Sequence, residues 1–468
     1  MNVLVAGGGL VGLSTAVFLG QHGVRTTVVE RHATTSIHPK ARGFTPRTME
    51  LFRGAGFADE VREAGAALKD NHDLVVYETL DKPPLRRIME TTDNEPILRV
   101  SPDSHCACPQ DALEPILLAA ARELGADIRF GTEFQSFTQD HDGVTAIVDG
   151  ATIRADYLVA CDGSRSSIRE RLGIDMVGDA PTMSSVGISF EAELDLDHFI
   201  LAWTTHPDGA GILLPIDNRR RWVFHVELTG SRTPADFTDE YCTRLIRVAT
   251  GQPDLDVKLV SVAPWETTSA VAAKYRAGRV FLAGDAAHLI PPAGAFGANT
   301  GIQDAHNLAW KLAYVLNGMA GPALLDTYEA ERRPVAEMTT DQAMRRWQTW
   351  MNHNPMPFAE DLAVMYGTQY VSSAVDHPGP ARPLELNLDG TPGTRVPHAW
   401  LPDGRSTLDL VGPDFALLHD GTWPAGPVRS HQVDLGPGAM LVRPDGYVAW
   451  RSTEPTDVDP IMAKLLTR

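Results

Sequence analysis

Residues 7–12 read Gly7-Gly8-Gly9-Leu10-Val11-Gly12, and this stretch decides the fold of the first part of the chain. The apolar residues 2–6 before it predict a strand, and the apolar pattern after it predicts a helix that ends at Gly23. A side chain in this turn would hold a phosphate away from the backbone N–H groups that open the helix. The stretch therefore predicts a dinucleotide-binding G-x-G-x-x-G turn rather than a glycine-rich turn without a ligand. Its predicted cofactor contacts are Gly7, Gly9, Leu10, Val11 and Gly12.

The next predicted strand, residues 26–29, delivers a carboxylate to the same site. Glu30 lies at about the distance along the chain at which such a carboxylate accepts hydrogen bonds from the two ribose hydroxyls of an adenosine. Arg31 follows it and is predicted to lie at the same cofactor. A carboxylate suits an unphosphorylated ribose, so the pattern favours FAD or NAD over NADP as the bound nucleotide.

Length and charge restrict the kind of protein. The chain has 468 residues, a length that predicts about three domains. Its net charge of -19 argues against nucleic acid and anionic membranes as partners, because a phosphate backbone would be repelled. No Asp, Glu, Lys or Arg occurs before Arg25, as in a signal peptide, but no basic segment precedes the apolar part. We therefore expect a cytoplasmic protein, a monomer or homodimer, with no membrane span.

Four cysteines are too few for a disulfide framework in a chain of this length. His105-Cys106-Ala107-Cys108 resembles part of a metal site, but no second pair of ligands lies at zinc spacing. Buried thiols, and no metal, are the better interpretation. No C-x-x-C motif occurs, which excludes the flavin disulfide reductases because they need a dithiol beside the flavin.

The periodicity of apolar residues changes along the chain. Residues 1–72, 103–178 and 276–350 alternate predicted strands and helices, as a nucleotide-binding α/β domain does. Residues 73–102 and 179–275 are assigned to a second unit, because alternating polar and apolar positions there predict an antiparallel sheet. One face of such a sheet can cover a ligand.

The last third of the chain predicts further elements. A helix beginning near Ala323 is predicted to end or kink near Pro334. Residues 351–395 are rich in Pro, Gly and Asn and predict a linker, and residues 396–468 predict a small appended α/β unit.

Two further motifs lie downstream of the glycine turn: Asp162-Gly163-Ser164-Arg165-Ser166-Ser167-Ile168-Arg169 and Gly284-Asp285-Ala286-Ala287-His288-Leu289-Ile290-Pro291-Pro292. In this order and spacing the three motifs resemble those of the single-component FAD-dependent aromatic hydroxylases, whose archetype is para-hydroxybenzoate hydroxylase. Residues 108–115 and 294–301 are most similar to the bacterial aromatic polyketide hydroxylases. The resemblance covers the chain from its start to about residue 345.

The resemblance implies a fold of the α/β class. It consists of a Rossmann-like FAD-binding domain, an inserted antiparallel-sheet domain for the substrate, and a thioredoxin-like C-terminal domain. Residues 441–450 are similar to the end of that third domain. Here the domain is shorter than usual and lacks redox cysteines, so we expect it to be structural.

The resemblance also implies residues that contact the FAD. Asp285 ends a strand, where its carboxylate can accept a hydrogen bond from a ribityl hydroxyl or cap the turn that follows. Residues 297–299 open a helix predicted from about Gly301, and its unpaired N–H groups would stabilise the anion of a reduced flavin, although a helix start unrelated to a ligand is the alternative. For Arg42, a surface cation is an equal alternative. The residues implied at the FAD are Arg42, Gln110, Phe134, Asp162, Gly284, Asp285, Pro292, Gly297, Ala298 and Asn299.

The implied reaction is a monooxygenation. No second G-x-G-x-x-G occurs, so NADPH or NADH is expected to bind transiently beside a permanently bound FAD. The resemblance implies that hydride reduces FAD, molecular oxygen adds at flavin carbon 4a, and the hydroperoxide passes one oxygen atom to an electron-rich aromatic or polyketide ring. The protein has to exclude water and position the ring, because the cofactor carries the chemistry. Pro292 and Gly297 are the predicted catalytic positions at the flavin.

Substrate contacts are expected from the antiparallel sheet and from the Pro291-Pro292 loop. Trp203, Trp222 and Phe224 are candidates for contacting an aromatic ring, with ordinary core packing as the alternative. Strand alternation allows only one of Phe224 and His225 to face inward. If His225 does, it can deprotonate a phenol and raise the nucleophilicity of the ring, which is our hypothesis for a catalytic base.

Three other functions share parts of this pattern. A flavin halogenase carries W-x-W-x-I-P, and Trp347-Gln348-Thr349-Trp350 has the wrong spacing for it. Baeyer–Villiger insertion into a polyketide needs a nucleophilic rather than an electrophilic peroxide. A non-catalytic flavin-binding protein that shields an intermediate is the remaining alternative. The last two stay open at the level of sequence.

Overall fold

The computed structural model describes residues 2–90, 94–351, 356–376, 380, 382–421, 423, 426 and 428–467. Its strands, in chain order, are β1 Asn2–Ala6, β2 Arg25–Glu30, β3 Gly43–Phe44, β4 Asp73–Tyr77, β5 Arg86–Glu90, β6 Cys106–Ala107, β7 Asp127–Phe130, β8 Phe134–Gln139, β9 Val144–Val148, β10 Ala151–Ala155, β11 Tyr157–Ala160, β12 Met176–Glu191, β13 Leu201–Thr204, β14 Gly211–Pro215, β15 Arg221–Glu227, β16 Lys258–Ala272, β17 Arg276–Ala277, β18 Val280–Leu282, β19 His288–Leu289, β20 Ala416–His419, β21 Arg429–Gln432, β22 Ala439–Val442 and β23 Val448–Ser452.

The α-helices lie between and beside these strands. Within the described ranges, none of them has the length and apolar character needed to cross a bilayer. The helices are α1 Leu10–Gln21, α2 Pro46–Ala55, α3 Ala58–Ala64, α4 Glu95–Leu98, α5 Gln110–Glu123, α6 Ser167–Arg171, α7 Asp239–Thr250, α8 Phe296–Leu316, α9 Asp326–Trp350, α10 Asp361–Tyr366 and α11 Asp459–Leu465.

A six-stranded sheet carries the glycine turn, in the order β17-β18-β11-β1-β2-β7. All neighbours are parallel except the edge pair β17 and β18. The central strand β1 is apolar throughout residues 3–6 because both faces of a parallel sheet are covered by helices. Strand β11 lies beside β1 and β18 lies beside β11, all three parallel, so segments near residues 160 and 282 end at the same edge as the glycine turn.

An eight-stranded sheet forms the second unit, in the order β19-β16-β12-β15-β14-β13-β4-β5. It is antiparallel except where β13 runs parallel to β4. Alternate residues of the central strands, including Val186, Ile188 and Val226, form a core with the apolar face of α7. The residues between them point to the other face of the sheet, because side chains in a strand alternate. On that face Arg221 forms an ion pair with Asp111 of α5, so it faces the nucleotide-binding part.

The region after α8 contains more helix than the sequence indicated. Helix α9 runs through Pro334 to Trp350 rather than ending there, since a proline removes only one hydrogen bond from a helix of 25 residues whose flank is buried. The segment 351–395, predicted to be a linker, includes regular structure in its described part. It contains α10, and the side chain of Tyr366 at the end of that helix is buried and donates a hydrogen bond to Glu50.

The C-terminal unit is a four-stranded sheet in the order β21-β20-β22-β23, followed by α11. Buried ion pairs attach it to the nucleotide-binding part. Arg443 donates two hydrogen bonds to Glu331 of α9, at 2.7 and 2.8 Å, and all of these atoms are fully buried. Arg395 pairs with Glu50 of α2 in the same way. Because a buried charge is costly without its partner, these pairs hold the two units together.

Candidate active site

The three glycines of the first motif are needed for different reasons. Gly7 has φ of +105°, and a Cβ atom there would lie 2.2 Å from the carbonyl oxygen of Cys161. A Cβ atom on Gly12 would lie 1.9 Å from the carbonyl oxygen of Gly7. At Gly9, by contrast, a Cβ atom would meet only the carboxylate of Glu114, at 3.7 Å. The protein itself therefore requires the first and third glycines, and it leaves space in front of Gly9.

The two glycine motifs, far apart in the chain, meet at Val11. A Cβ atom on Gly284 would lie 2.7 Å from a methyl group of Val11, and one on Gly301 would lie at the same distance. Leu10 is 6% exposed and begins α1 beside them. The starts of α1 and α8 and the Gly284-Asp285 turn therefore surround one space.

Asp285 presents a free carboxylate to this space. The side chain of Asp285 is accessible to solvent, yet many protein atoms surround its carboxyl group. A group that is both accessible and surrounded lines a cavity rather than the outer surface. Burial raises the pKa of Asp285, while His288 and Lys40 lower it. The turn Gly284–Ala286 has no side-chain cap, and the Asp285 carboxylate has no hydrogen-bond partner in the described part of the chain. The cap alternative is thus not realised, and the carboxylate is available to a ligand.

Asp162 offers a second free acceptor. One of its oxygens, Oδ2, accepts a hydrogen bond from the N–H of Ile168 at 3.3 Å. The other, Oδ1, is buried and has no partner among the described residues. Because buried carboxylate oxygens are rarely left unpaired, Asp162 requires a donor from outside the chain.

Helix α8 begins at Phe296, five residues before the predicted start. Its N-cap, Ala295, has φ of +56° and makes no side-chain cap, so the N–H groups of Gly297 and Ala298 have no helical partner. A Cβ atom on Gly297 would meet only Ile290, at 3.7 Å. Pro292 is exposed on the loop before the helix. The helix start therefore offers unpaired donors to open space.

The side chain of Asn299 has a structural role, beside the role at the helix start that the resemblance implies for its backbone. Its side-chain amide donates to the carbonyl oxygens of Gly43, at 3.0 Å, and Ala295, at 2.6 Å. Its oxygen accepts from the N–H of Thr45 at 2.9 Å. The side chain thus ties the β3 segment to the start of α8, and only its backbone remains for a flavin.

A buried charge network supports the Gly284-Asp285 turn from below. Asp304 of α8 accepts hydrogen bonds from His288 Nε2 at 2.7 Å, from Arg332 Nε at 2.8 Å and from the N–H of Gly284 at 3.3 Å. Burial raises the pKa of Asp304, but Arg332 and His288 outweigh that effect and lower it. Sequence reasoning missed Asp304 and Arg332, because no local pattern relates positions on two separate helices.

Glu30 and Gln110 are both engaged with the backbone around the turn. Glu30 accepts from the N–H of Gly8 at 2.7 Å and from that of His32 at 2.8 Å. Burial raises the pKa of Glu30, but the hydrogen bonds from His32 and Gly8 lower it by more. The pKa of Glu30 therefore lies below its ordinary value, and the carboxyl group is ionised. Gln110 accepts from the N–H of Ala41 and donates to Glu114 at 2.7 Å. Glu114, which the sequence did not indicate, is 1% exposed and lies beside Gly9.

Phe134 and Arg31 lie near the ends of strands of the nucleotide-binding part. Phe134 starts β8 and contacts the ring of Phe137, with centroids 6.2 Å apart. The Arg31 side chain is exposed after β2.

The guanidinium of Arg42 points to the eight-stranded sheet. It donates to the carbonyl oxygens of Pro215 at 2.7 Å and Ile200 at 3.1 Å. Burial lowers the pKa of Arg42 to about 10. The surface-cation alternative is therefore wrong, and in this structure the side chain contacts the sheet rather than being free for a diphosphate. Its neighbour Gly43 lies against Ala295 at the start of α8, so sheet and helix start border the same space.

Strand alternation decides which sheet residues face that space. Trp222 and Phe224 lie in the core against α7, and Trp222 donates its indole N–H to the carbonyl oxygen of Ala192. The prediction that they contact the substrate is wrong, because both belong to the opposite face. Trp203 and His225 are half-buried on the face towards the nucleotide-binding part. They are joined through Ile212 in a row across β13, β14 and β15.

The ring of His225 accepts a hydrogen bond from the neighbouring strand β16. Trp265 of β16 donates its indole N–H to His225 Nδ1 at 2.8 Å. Burial, and then the charge of Arg42, lower the pKa of His225 to about 4. Its basic nitrogen is thus occupied and hard to protonate, which argues against the hypothesis that it deprotonates a phenol.

An open cleft of about 840 Å³ lies on the other side of the sheet, between the loop after β4 and α7. Its lining includes Glu78, Lys82, Asp239, Arg244 and Arg247 and contains no aromatic side chain among the described residues. It does not resemble a site for an aromatic ring.

Comparison with known proteins decides the family. The FAD binding domain family matches residues 1–343, and the aromatic-ring hydroxylase C-terminal family matches residues 389–468. The chain belongs to the FAD-dependent aromatic-ring hydroxylases. This confirms the resemblance found in the sequence, and the protein is an FAD-dependent monooxygenase.

The chain is similar over nearly its whole length to hydroxylases of known name or structure. A putative polyketide hydroxylase of Streptomyces halstedii is 46% identical, over 99% of this chain and 96% of its own. The aklavinone 12-hydroxylase RdmE of Streptomyces purpurascens is 40% identical, over 97% and 96%. The crystal structure of aklavinone-11 hydroxylase in a ternary complex with FAD and aklavinone is 35% identical, covers 100% and 99%, and has a TM-score of 0.90. This similarity confirms the α/β fold.

FAD is the cofactor of this hydroxylase, and the residues at the glycine turn fit it. The open space at Gly9 admits a phosphate against the backbone, as the fold requires. The orphaned oxygen of Asp162 and the free carboxylate of Asp285 are acceptors suited to hydroxyl or N–H donors.

Proposed function

We propose that this hydroxylase transfers one oxygen atom from molecular oxygen to an aromatic ring of a polyketide, with NADPH or NADH as the transient reductant. The observation that carries the proposal is that Trp203 and His225 are half-buried on the face of the sheet to which Arg42 is hydrogen-bonded, while the next residue, Gly43, lies against the start of α8. Relatives named for polyketides support the choice of substrate class. We propose the cytoplasm as the place of the reaction, where the reductant is supplied.

The bound FAD supplies the redox chemistry, by accepting a hydride and activating oxygen. We propose that Gly7, Gly9 and Gly12 hold the diphosphate at the start of α1, together with Leu10 and Val11 of the first turn. Glu30 and Arg31 would hold the ribose, Phe134 the adenine through its backbone, and Asp162 and Gln110 the diphosphate and ribityl side, whereas Arg42 holds the adjoining loop against the sheet. Asp285 would accept from a ribityl hydroxyl.

The start of α8 contributes electrostatics. The dipole of a helix is equivalent to roughly half a positive charge at its first turn, where the unpaired N–H groups of Gly297 and Ala298 lie. They favour negative charge at this end of the cavity, and they are fixed before any substrate arrives, since Asn299 anchors the turn. Pro292 makes the loop before α8 rigid, because proline has a fixed φ, and it presents an apolar ring and no backbone N–H to the site.

The sheet contributes the substrate surface. Trp203 offers a flat, half-buried ring against which a planar polycyclic substrate can stack. The sheet and the helix start together exclude water from the ring, and holding the ring in one orientation is the main catalytic task of the chain.

The test is product analysis with the purified flavoprotein. Polycyclic phenols, monocyclic phenols and quinols are offered with NADPH or NADH under isotopically heavy oxygen. The proposal predicts oxidation of the nicotinamide stimulated by polycyclic phenols and a product that gains one heavy oxygen atom with its aromatic ring intact. Ring expansion would instead assign Baeyer–Villiger insertion. Nicotinamide oxidation that no phenol stimulates would support a shielding role and overturn the proposal.

A further inference from the structure

The imidazole of His225 is positioned by the neighbouring strands. His225 pairs with Gly187 of β12, which has no side chain. A Cβ atom on Gly187 would lie 3.2 Å from both Cε1 and Nδ1 of the imidazole, tighter than nearly all Cβ contacts. Glycine at this position therefore lets the ring lie flat over the sheet, on the face that borders the proposed substrate space.

The contact with Trp265 decides the tautomer of His225. An indole N–H is a donor and never an acceptor, so the nitrogen it contacts must carry a lone pair. That nitrogen is Nδ1, at 2.8 Å, and the rings meet edge to face with centroids 5.1 Å apart. A neutral imidazole has one N–H, which therefore lies on Nε2. Nε2 has no hydrogen-bond partner within the ranges that the structure describes.

The charges around His225 favour the neutral ring. Arg42, which reaches the sheet at Pro215, is the charged group that acts on it, and burial acts in the same direction. A neutral ring with a free Nε2–H can donate one hydrogen bond, while its lone pair, on Nδ1, already accepts the N–H of Trp265.

We propose that Trp265 fixes His225 as the Nε2–H tautomer, and that this N–H donates a hydrogen bond to a carbonyl or phenolate oxygen of the aromatic substrate. The inference rests on the proposed function and deepens it. His225 contacts the substrate, and Trp265 is a positioning residue. The enzyme then selects polycyclic phenols that carry an oxygen acceptor beside the ring to be hydroxylated, because an analogue without it leaves a half-buried N–H unpaired.

The first experiment measures the tautomer and needs no substrate. Holoenzyme labelled with nitrogen-15 histidine is titrated from about pH 5 to about pH 8, where an ordinary histidine changes charge. The His225 signals are assigned by their loss in His225→Gln. We expect one unprotonated and one protonated ring nitrogen throughout the titration, and mixed tautomers or a titration in Trp265→Phe. Trp400→Phe is the matched control, because Trp400 is 56% exposed and contacts another histidine, His398.

The second experiment measures binding by the change in the flavin absorption spectrum, without reductant. The probes are 1-hydroxyanthraquinone and 1-hydroxyanthracene, which lacks the carbonyl groups. We expect wild type to prefer the quinone, and Trp265→Phe and His225→Leu to lose roughly fivefold to tenfold of that preference, the effect of one hydrogen bond. His225→Gln keeps an N–H donor and is expected to retain most of it.

The outcomes are distinguishable. A wild-type His225 that titrates or shows mixed tautomers overturns the inference, whichever probe binds. An unchanged preference in both Trp265→Phe and His225→Leu also overturns it. If neither probe binds wild type while NADPH is still oxidised, the proposed substrate class is wrong, and the nitrogen-15 signals still decide whether Trp265 fixes the tautomer.

Discussion

Substitution of Gly9 by alanine separates binding of FAD from folding. Its φ is -82°, which alanine adopts readily, and the added methyl would meet only Glu114 at 3.7 Å. Since glycine is also the better N-cap, we expect the apoprotein to lose less than about 1 kcal/mol of stability. The methyl would, however, occupy the space in front of the backbone where the phosphate has to approach.

The expected loss of affinity follows from the hydrogen bond that the methyl prevents. A hydrogen bond from a backbone N–H to a charged group, such as a phosphate, contributes about 1.5–3 kcal/mol to the free energy of binding. At about 1.4 kcal/mol per factor of ten, Gly9→Ala should weaken FAD binding about tenfold to a hundredfold. The dissociation constant is measured by quenching of FAD fluorescence on titration with apoprotein, and the unfolding free energy by urea denaturation of the same apoprotein.

Gly12→Ala is the matched control. Its Cβ atom would lie 1.9 Å from the carbonyl oxygen of Gly7, so the strand and helix have to move apart. We expect this variant to lose about 3 kcal/mol of stability even without FAD, the cost of overpacking a tight contact. Wild-type FAD affinity in Gly9→Ala would refute the reasoning, and so would an apoprotein as unstable as Gly12→Ala.

Three further substitutions test other parts of the site. Asp285→Ala should weaken FAD binding about tenfold without unfolding the apoprotein, because one hydrogen bond to the cofactor is lost; fluorescence quenching measures it, and wild-type affinity would contradict it. Asp304→Asn leaves Arg332 buried and unpaired, so urea denaturation at neutral pH should show a loss of about 3–5 kcal/mol. Because the pKa of Asp304 is lowered in the fold, its stabilisation is full above the unfolded value of about 3.9 and lost as the pH falls through the lower folded value. The difference between wild type and Asp304→Asn should therefore shrink in acid, and a constant difference would argue against this linkage. Arg443→Met should cost about 3–5 kcal/mol by the same reasoning, whereas Arg405→Met, which removes an exposed pair, should leave the denaturation midpoint unchanged.

Much of the nucleotide-binding part was predictable, because its signals are local. The close contact between Gly12 and the carbonyl oxygen of Gly7 leaves no room for a side chain, so the motif appears in the sequence wherever this strand and helix meet. The order of the three motifs indicated the family, and the alternation of residues 179–275 indicated the antiparallel sheet. The helix predicted to end or kink near Pro334 does not end there, since local propensity cannot register the burial of its flank.

The substrate side was predicted less well, since it depends on which face of a strand is covered. In the sequence, Trp222 and Phe224 are as good candidates for a substrate contact as Trp203. In the structure, α7 packs on the face to which Trp222 and Phe224 belong. The structure argues against the base hypothesis for His225 for a similar reason. Trp265 lies 40 residues away, and only the register between β12, β15 and β16 brings its indole to the imidazole.

The sequence by itself determined the nucleotide turn, the cofactor class, the family and the two kinds of sheet. These follow from contacts between residues close in the chain, where backbone geometry restricts the residue type. Only the tertiary structure decided that Asp304 and Arg332 support the Gly284 turn, that Arg42 reaches the sheet, and that Trp265 donates a hydrogen bond to His225. Those roles arise from pairings between distant segments, and a charge or a ring nitrogen acquires its function from whatever the fold brings beside it.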